Sequence, residues 1–221
     1  MKRFCSKNLR RVVFGLAVIA LISSTAYSKG FAAKIETDLD SDGKIERIDL
    51  NSERQPALRI FHGKKIMWQG VSAHWNAWKI QITDVDGDGI REIAIGVNKA
   101  TKFFPKPHNC LFIYGFRGRK GFPKWLGSSL SKPFDDFRFA DLDGRIGEEL
   151  IALETNLDAT KSVGLYRWNS FGFTLESEQG QWKSAKNLMF ENGKISIEAD
   201  DKRIFLSKDR GGQHYETRKL N

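Results

Sequence analysis

Three copies of an aspartate-rich segment recur along the chain, and each lies between two stretches that alternate like β-strands. The most complete copy is residues 84–92 (DVDGDGIRE), and the first copy is residues 38–46 (DLDSDGKIE). The third copy, residues 141–149 (DLDGRIGEE), carries Arg145 where the pattern has its third aspartate. Such a repeat predicts a fold built from several similar units, because each copy should occupy the same place in its own unit.

The alternating aspartates place carboxylates on one side of a tight loop. Oxygen-only ligand sets suit a hard cation that accepts about six to eight oxygens, which is the preference of Ca²⁺. No copy contains histidine or cysteine, which argues against zinc or copper. The predicted ligands, with Lys44 and Ile90 offering main-chain carbonyls, are Asp38, Asp40, Asp42, Lys44 and Glu46, then Asp84, Asp86, Asp88, Ile90 and Glu92, then Asp141, Asp143 and Glu149. A polar turn without an ion is the alternative, above all for the third copy.

A helix–loop–helix calcium site is the rival interpretation of these loops. That site needs a carboxylate at the twelfth position of the loop, where the second copy has Ile95. Residues 79–83 before this copy and residues 92–97 after it alternate polar and apolar side chains and are rich in β-branched residues, as strands are. The loops are therefore predicted to join strands.

The first 28 residues have the pattern of a secretory signal peptide. Five basic residues precede an apolar run over residues 12–22, and small residues then offer a cleavage site after Ser28. The apolar run is shorter than the roughly twenty residues of a membrane-spanning helix. We therefore expect a secreted protein, or one on the extracellular face of the cell envelope, with an uncleaved membrane anchor as the alternative.

Removal of the predicted signal changes the charge of the chain. The full sequence has 36 basic and 27 acidic residues, so the loss of five basic residues lowers the net charge from +9 to +4. This small excess argues against nucleic-acid binding. Only Cys110 remains after processing, so calcium rather than a disulfide would crosslink the mature chain.

The spacing of the copies predicts the architecture. Their first aspartates, Asp38, Asp84 and Asp141, are separated by 46 and 57 residues, and units of about forty to fifty residues with several short strands are typical of propeller blades. Each unit is predicted to contain four strands, and a fourth, degenerate unit follows Gln181. The sequence thus predicts an all-β fold, either a small β-propeller or an open propeller-like stack of about four four-stranded antiparallel blades.

The predicted strands alternate with polar or glycine-bearing turns. In the second unit they cover residues 78–83, 91–98, 110–116 and 124–130. The fourth unit has three, over residues 187–190, 195–198 and 203–207. Residues 29–208 would form the propeller domain, and the polar residues 209–221 a frayed C-terminal tail.

The copies resemble the repeats of the FG-GAP/VCBS family, known from integrin-type propellers and many exported bacterial proteins. The motif that carries the resemblance, Asp-x-Asp-x-Asp-Gly-x-x-Glu before an apolar strand, is complete in the first two copies and incomplete in the third. The similarity covers most of residues 33–180. It implies a calcium-stabilised propeller, and it leaves the activity open, because members of the family serve adhesion, carbohydrate binding and enzyme scaffolding.

We expect a non-catalytic binding or scaffold module at the cell surface. Cations beside exposed aromatic rings would suit an anionic cell-wall polymer or a glycan, and another exported protein is a further candidate partner. The candidate ligand-facing residues are Arg117, Arg119, Lys120, Lys124 and the segment 102–108 (KFFPKPH). A solvated hairpin tip and a loop that caps the core are the alternative interpretations.

A secreted hydrolase and an accessory subunit of an exported enzyme complex are the competing functions. The four histidines are scattered, and the sequence has no nucleophile elbow and no glycine-rich phosphate loop. A hydrolase would have to use Cys110 or Asp135, whose positions in a predicted strand and turn favour structural roles. An accessory subunit would dock through the six tryptophans, which as strand residues would otherwise pack between sheets.

Overall fold

Four antiparallel sheets of four strands each follow one another along the chain and form a four-bladed β-propeller. The structure, a computed structural model, describes residues 30–191, 193–208 and 215–219. The predicted signal peptide over residues 1–28 lies outside this part of the chain. Within the described part, no helix has the length and apolar character needed to cross a membrane.

Each blade uses four consecutive strands, and every strand pairs with the next, so the sheet order follows the chain order. Blade 1 contains β1 (Ala32–Thr37), β2 (Glu46–Asn51), β3 (Leu58–His62) and β4 (Lys65–Gly70). Blade 2 contains β5 (Ala77–Thr83), β6 (Glu92–Lys99), β7 (His108–Arg117) and β8 (Lys120–Gly127). Blade 3 contains β9 (Phe134–Ala140), β10 (Glu149–Thr155), β11 (Lys161–Trp168) and β12 (Phe173–Trp182). Blade 4 contains β13 (Ala185–Glu191), β14 (Lys194–Ala199), β15 (Lys202–Lys208) and β16 (Tyr215–Lys219).

The middle strands of blade 2 are apolar on both faces because a neighbouring blade covers each face. In β6, Ile93 and Ile95 belong to the core shared with blade 1, whereas Ala94 belongs to the core shared with blade 3. In β7, Phe112 belongs to the core shared with blade 1, and Ile113 belongs to the core shared with blade 3. Successive side chains of a strand point to opposite faces, so the two-residue period distributes one sheet between two cores.

Three hydrophobic cores hold blade 1 to blade 2, blade 2 to blade 3, and blade 3 to blade 4. All six tryptophans belong to these cores, and none of them is exposed. Edge-to-face contacts join Trp75 to Phe112, with ring centroids 5.3 Å apart, and Trp78 to Phe137, with centroids 5.6 Å apart. Such pairs contribute about 0.5–1.5 kcal/mol beyond area burial. The tryptophans therefore stabilise blade contacts and do not form an exposed docking surface.

The predicted strands fall within the observed blades, although several strand bounds differ. The strand β8 begins and ends earlier than the predicted segment 124–130. The predicted domain end at residue 208 is too early, because Tyr215–Lys219 form β16, which pairs with β15 and completes blade 4. The sequence YETRK has no apolar alternation, so its pairing with β15 could not be predicted from hydrophobic pattern.

The propeller has two chemically different ends. The loops that join the first and second strands of blades 1 to 3 contain the aspartate-rich segments, and we call this end the acidic face. The β6–β7 loop (residues 100–107) and the β8–β9 connection (residues 128–133) lie at the other end, the opposite face. This follows from the antiparallel order, since consecutive turns alternate between the two ends of a blade.

A buried polar group braces blade 3 near the opposite face. Glu154 in β10 is fully buried and accepts a hydrogen bond from the Tyr166 hydroxyl. The same hydroxyl is hydrogen-bonded to the Ser131 side chain and accepts the Ser131 amide at 3.3 Å. Burial raises the pKa of Glu154, whose Oε2 has no hydrogen-bond partner within the described part of the chain. The group fixes the position of Ser131 in the β8–β9 connection.

We expect Glu154→Gln to change the pH dependence of stability. A carboxyl with a raised pKa binds more protons in the folded state than in the unfolded state over the window between the ordinary and the raised pKa. The free energy of unfolding should therefore fall as the pH rises through that window, by about 1.4 kcal/mol for each unit of pKa elevation. Urea unfolding from about pH 4 to about pH 8 measures this loss, which Glu154→Gln should lack. Parallel profiles would contradict the raised pKa.

Candidate metal centre

The three aspartate-rich segments form a connected row of loops on the acidic face. The amide of Arg91 donates to the Leu39 carbonyl at 2.8 Å, and the amide of Glu148 donates to the Asp84 carbonyl at 2.8 Å. Main-chain hydrogen bonds thus hold each aspartate-rich loop to the next one along the chain. We refer to the loops as loop 1 (residues 38–46), loop 2 (residues 84–92) and loop 3 (residues 141–149).

The same pattern of hydrogen bonds stabilises the conformation of each loop. In loop 2, the carboxylate of Asp84 accepts the amides of Gly87 at 2.7 Å and Gly89 at 3.0 Å. The closing glutamate, Glu92, accepts the Val85 amide at 3.0 Å. The equivalent bonds of loops 1 and 3 join Glu46 to Leu39 at 3.1 Å and Glu149 to Leu142 at 2.9 Å.

Glycine permits the tight path of the loops. Gly43 and Gly89, which follow the third aspartates, have φ values of +84° and +82°, a backbone conformation that glycine adopts without a Cβ clash. Gly147 in loop 3 also has positive φ, and a Cβ there would approach the Val85 carbonyl oxygen to 2.6 Å. Glycine at position 147 therefore lets loop 3 dock on loop 2.

Each loop brings three carboxylates together, with oxygen atoms within 4.8 Å of one another. The predicted ligands Glu46 and Asp88 lie outside these groups. Glu46 Oε1 is 3.6 Å from His62 Nδ1, while Asp88 accepts the Ile90 amide at 2.8 Å and pairs with Arg117 at 3.5 Å. The carbonyl ligands stay a prediction. The grouped residues are Asp38, Asp40 and Asp42, then Asp84, Asp86 and Glu92, then Asp141, Asp143 and Glu149.

Loops 1 and 2 each contain a buried carboxylate oxygen without a hydrogen bond. Asp40 Oδ1 and Asp86 Oδ1 have no partner among the residues that the structure describes. An unsatisfied buried acceptor costs about 1–3 kcal/mol, and buried polar atoms are normally paired. Both oxygens come from the middle aspartate of a three-carboxylate group. A bound cation would satisfy them, so the donor sets of loops 1 and 2 fit a metal ion.

The ionised form of the closing glutamates of loops 1 and 2 is disfavoured by their surroundings. Burial raises the pKa of Glu46, and the negative charges of the loop 1 aspartates raise it further. Burial also raises the pKa of Glu92, against the effect of its hydrogen bond from Lys124. Low dielectric surroundings and like charges both disfavour the ionised form. A nearby positive charge is therefore needed for these loops to hold all their carboxylates ionised.

The source of positive charge differs between blades. The register of β2 and β3 places His62 opposite Glu46. Extended by one residue, the registers of blades 2 and 3 place Gly115 opposite Glu92 and Arg167 opposite Glu149. Arginine carries a permanent positive charge at this position, whereas glycine carries none. In blade 2, Lys124 from the neighbouring strand β8 supplies the cation instead.

The side chain of Lys124 extends from β8 to the carboxylates of loop 2. Its Nζ is 2.5 Å from Asp86 Oδ2 and 2.5 Å from Glu92 Oε1, and its side chain is 17% exposed. Burial lowers the pKa of Lys124, but hydrogen bonds to the two carboxylates outweigh burial and raise it. The prediction that Lys124 faces a ligand on the protein surface is therefore wrong, because the buried carboxylates draw the ammonium group inward.

Two guanidinium groups contact loop 3, one from Arg145 within the loop and one from Arg167 in β11. Arg167 is hydrogen-bonded to Glu149 and lies 3.0 Å from Asp143, and Arg145 donates to Asp143 at 2.7 Å. Burial raises the pKa of Asp143, but the hydrogen bonds and charges of the two arginines outweigh burial and lower it. Both arginines also pair with Glu176. Loop 3 therefore fits a metal ion poorly, because cationic side chains already contact its carboxylates.

The remaining predicted ligand-facing residues separate onto the two ends of the propeller. Arg117, Arg119 and Lys120 are exposed at the β7–β8 hairpin tip beside loop 2. The segment 102–108 lies on the opposite face, so it cannot share a ligand site with the hairpin. Sequence reasoning missed Arg167, because only its register opposite Glu149 reveals its role.

Comparison of the chain with models of known protein families and with curated proteins finds no match. The FG-GAP/VCBS resemblance therefore rests on the loop motif.

We expect Arg167→Met to destabilise the protein by about 3–5 kcal/mol, because the buried Glu149 loses its cationic partner. The matched control Arg203→Met removes an exposed arginine that pairs with Glu191 at 3.2 Å, and it should cost less than about 1 kcal/mol. Unfolding in guanidinium chloride at neutral pH measures both losses. Equal losses would show that loop 3 does not depend on Arg167.

Proposed function

We propose that the protein is an exported calcium-binding repeat protein of the FG-GAP/VCBS type that acts as a non-catalytic binding or scaffold module at the cell surface. The observation that carries the calcium proposal is the pair of buried oxygens, Asp40 Oδ1 and Asp86 Oδ1, that lack partners within the described chain. Each belongs to an oxygen-only group of three carboxylates, the ligand type that Ca²⁺ prefers. Export rests on the sequence pattern of residues 1–28.

The loops differ in how strongly they need an added cation. In loop 1, Lys44 pairs with Asp42 at 2.7 Å, and its side chain is 55% exposed. Loop 2 already contains Lys124, which an incoming ion would have to displace from Asp86 and Glu92. In loop 3, two arginines already contact Asp143, and Arg167 also contacts Glu149. Loop 1 is therefore the best calcium site of the three, and loop 2 is a site in competition with its own lysine.

A bound ion would rigidify more than one loop. The Ser41 hydroxyl in loop 1 donates to the Gly89 carbonyl in loop 2 at 2.5 Å, and the Arg91 side chain donates to the Thr37 hydroxyl at 2.9 Å. Ordering loop 1 thus also orders its neighbour. With free calcium at about ten times the dissociation constant, each site would add about 1.4 kcal/mol of stability. This structural effect is consistent with a module whose role is to hold a binding surface.

The candidate catalytic residues of the hydrolase alternative occupy structural positions. Cys110 is fully buried in β7, and burial raises the pKa of its thiol, which disfavours the reactive thiolate. Asp135 forms an ion pair with Lys161 at the start of β9. These surroundings support the non-catalytic proposal.

We expect calcium to raise the free energy of unfolding of the native protein. At a free calcium concentration about tenfold above the dissociation constant, Asp40→Asn should remove about 1.4 kcal/mol of that gain. In a chelator, the variant should be as stable as the native protein or more stable, because one of three repelling carboxylates is gone. Thermal and urea unfolding with calcium and with chelator measure both effects. The control Asp201→Asn, on an exposed turn, should keep the full gain. Calcium-independent stability in the native protein would refute the site.

We expect Lys124→Met to strengthen calcium binding at loop 2 by about tenfold or more, because the ion no longer displaces a buried ammonium group. Without calcium the variant should lose stability, since Glu92 loses its cation. Calorimetric titration in an Asp40→Asn background isolates loop 2. Lys120→Met, an exposed change on the same strand, serves as the control. Unchanged affinity in the Lys124 variant would show that the lysine and the ion do not compete.

A further inference from the structure

A cleft on the opposite face lies between blades 2 and 3. Its walls come from the β6–β7 loop and the β8–β9 connection, and its volume is about 330 Å³. That volume is at the lower end of the roughly 300–1,000 Å³ of ligand pockets, which suits one ring-sized ligand unit. The loops of the acidic face lie at the other end of the strands, so this cleft is separate from the proposed calcium sites.

The lining of the cleft is basic. Lys106, His108 and Lys132 contribute to it, and no aspartate or glutamate is among its lining residues. Lys132 pairs with Glu178, which lies outside the lining. Lys106 is exposed and makes no ion pair within the described part of the chain. An anionic group would therefore meet at least one ammonium group that is available to bind it.

His108 bridges the two walls of the cleft. Its Nδ1 is 2.9 Å from the Lys106 carbonyl oxygen, and its Nε2 is 2.7 Å from the Ser128 carbonyl oxygen. The neighbouring groups are the Cys110 thiol, 3.4 Å from Nε2, and the Phe104 ring, 5.2 Å away edge to face. The ring contacts therefore hold the β6–β7 loop to the β8–β9 connection.

The cleft also offers a flat apolar surface. Phe104 is 47% exposed at its rim, and Leu130 and Pro133 lie in the other wall. The walls are held before any ligand arrives, because the Thr101 amide donates to the Phe104 carbonyl at 2.9 Å and the Asn109 side chain donates to the Phe134 carbonyl at 2.9 Å. Pre-organised walls lower the entropic cost of binding.

We propose that this cleft binds an anionic sugar unit of an acidic polysaccharide. The apolar face of the sugar ring would pack on Phe104, and its carboxylate or phosphate would contact Lys106 and the side of the cleft that contains His108. The inference rests on the proposed binding-module function and supplies the ligand class and the location of that function. It assigns a role to Phe104, Lys106 and His108 of the segment 102–108, which the calcium sites leave unexplained.

Isothermal titration at saturating calcium tests the proposal with galacturonic acid oligomers, glucose 1-phosphate and neutral galactose oligomers. We expect saturable binding of at least one anionic sugar and no binding of the neutral sugar. Binding of the carboxylated or the phosphorylated sugar identifies the anion. Equal binding of the neutral sugar, or no binding of any of the three, would overturn the proposal.

Two variants locate the binding in the cleft. Lys106→Glu should weaken binding of the anionic sugar by at least about tenfold, because it removes a charge-assisted contact and adds repulsion. Phe104→Ala should weaken it by about threefold to tenfold. The matched control Lys102→Glu makes the same charge change in the same loop, outside the cleft lining, and should bind like the native protein. Equal losses in the two lysine variants would indicate general charge attraction and refute the site.

The same samples separate this inference from the calcium proposal. Lys106→Glu should retain the full calcium-dependent gain in thermal stability, because the loops lie at the other end of the blades. A protein that calcium stabilises but that binds no sugar would refute only the cleft. A protein that binds the sugar without any calcium effect would refute only the metal sites.

Discussion

The acidic face depends on one electrostatic constraint, the burial of a glutamate carboxylate at the base of each aspartate-rich loop. Each closing glutamate is at most 4% exposed and accepts a main-chain amide of its own loop. A single amide does not offset the desolvation of a charged carboxylate, so each loop also needs a cation. Lys124 meets this need in blade 2 and Arg167 meets it in blade 3, whereas in blade 1 the imidazole of His62 lies 3.6 Å from Glu46.

The departures of loop 3 from the repeat pattern are connected through this constraint. Arg145 replaces the third aspartate, and Arg167 lies opposite the closing glutamate, and both contact Asp143. Each arginine compensates carboxylates that an ion would otherwise have to compensate. The internal ion pairing of loop 3 therefore involves two positions, Arg145 in the loop and Arg167 in β11, and only Arg145 lies within the motif.

The fold and the loops could be predicted from local pattern, whereas the charges that complete the loops could not. Period-two alternation and the spacing of the aspartates suffice for the strands of blade 2 and for the sharp turns at Gly43 and Gly89. Lys124 and Arg167 contact the loops from strands that follow much later in the chain, so only the sheet register brings them there. For the same reason, Lys124 resembles a surface residue of a basic hairpin when it is considered by sequence alone.

The side chains on the two faces of β6 differ in size, and this difference disfavours a shifted alignment of the strand. One side of β6 presents isoleucines, and the other presents Gly96, where a Cβ would come within 2.7 Å of the Trp78 ring and 2.9 Å of Phe137. A slip of one residue would reverse every side chain of the strand and drive a branched side chain into these rings. A one-residue slip of β6 is therefore disfavoured by the lack of space around Gly96.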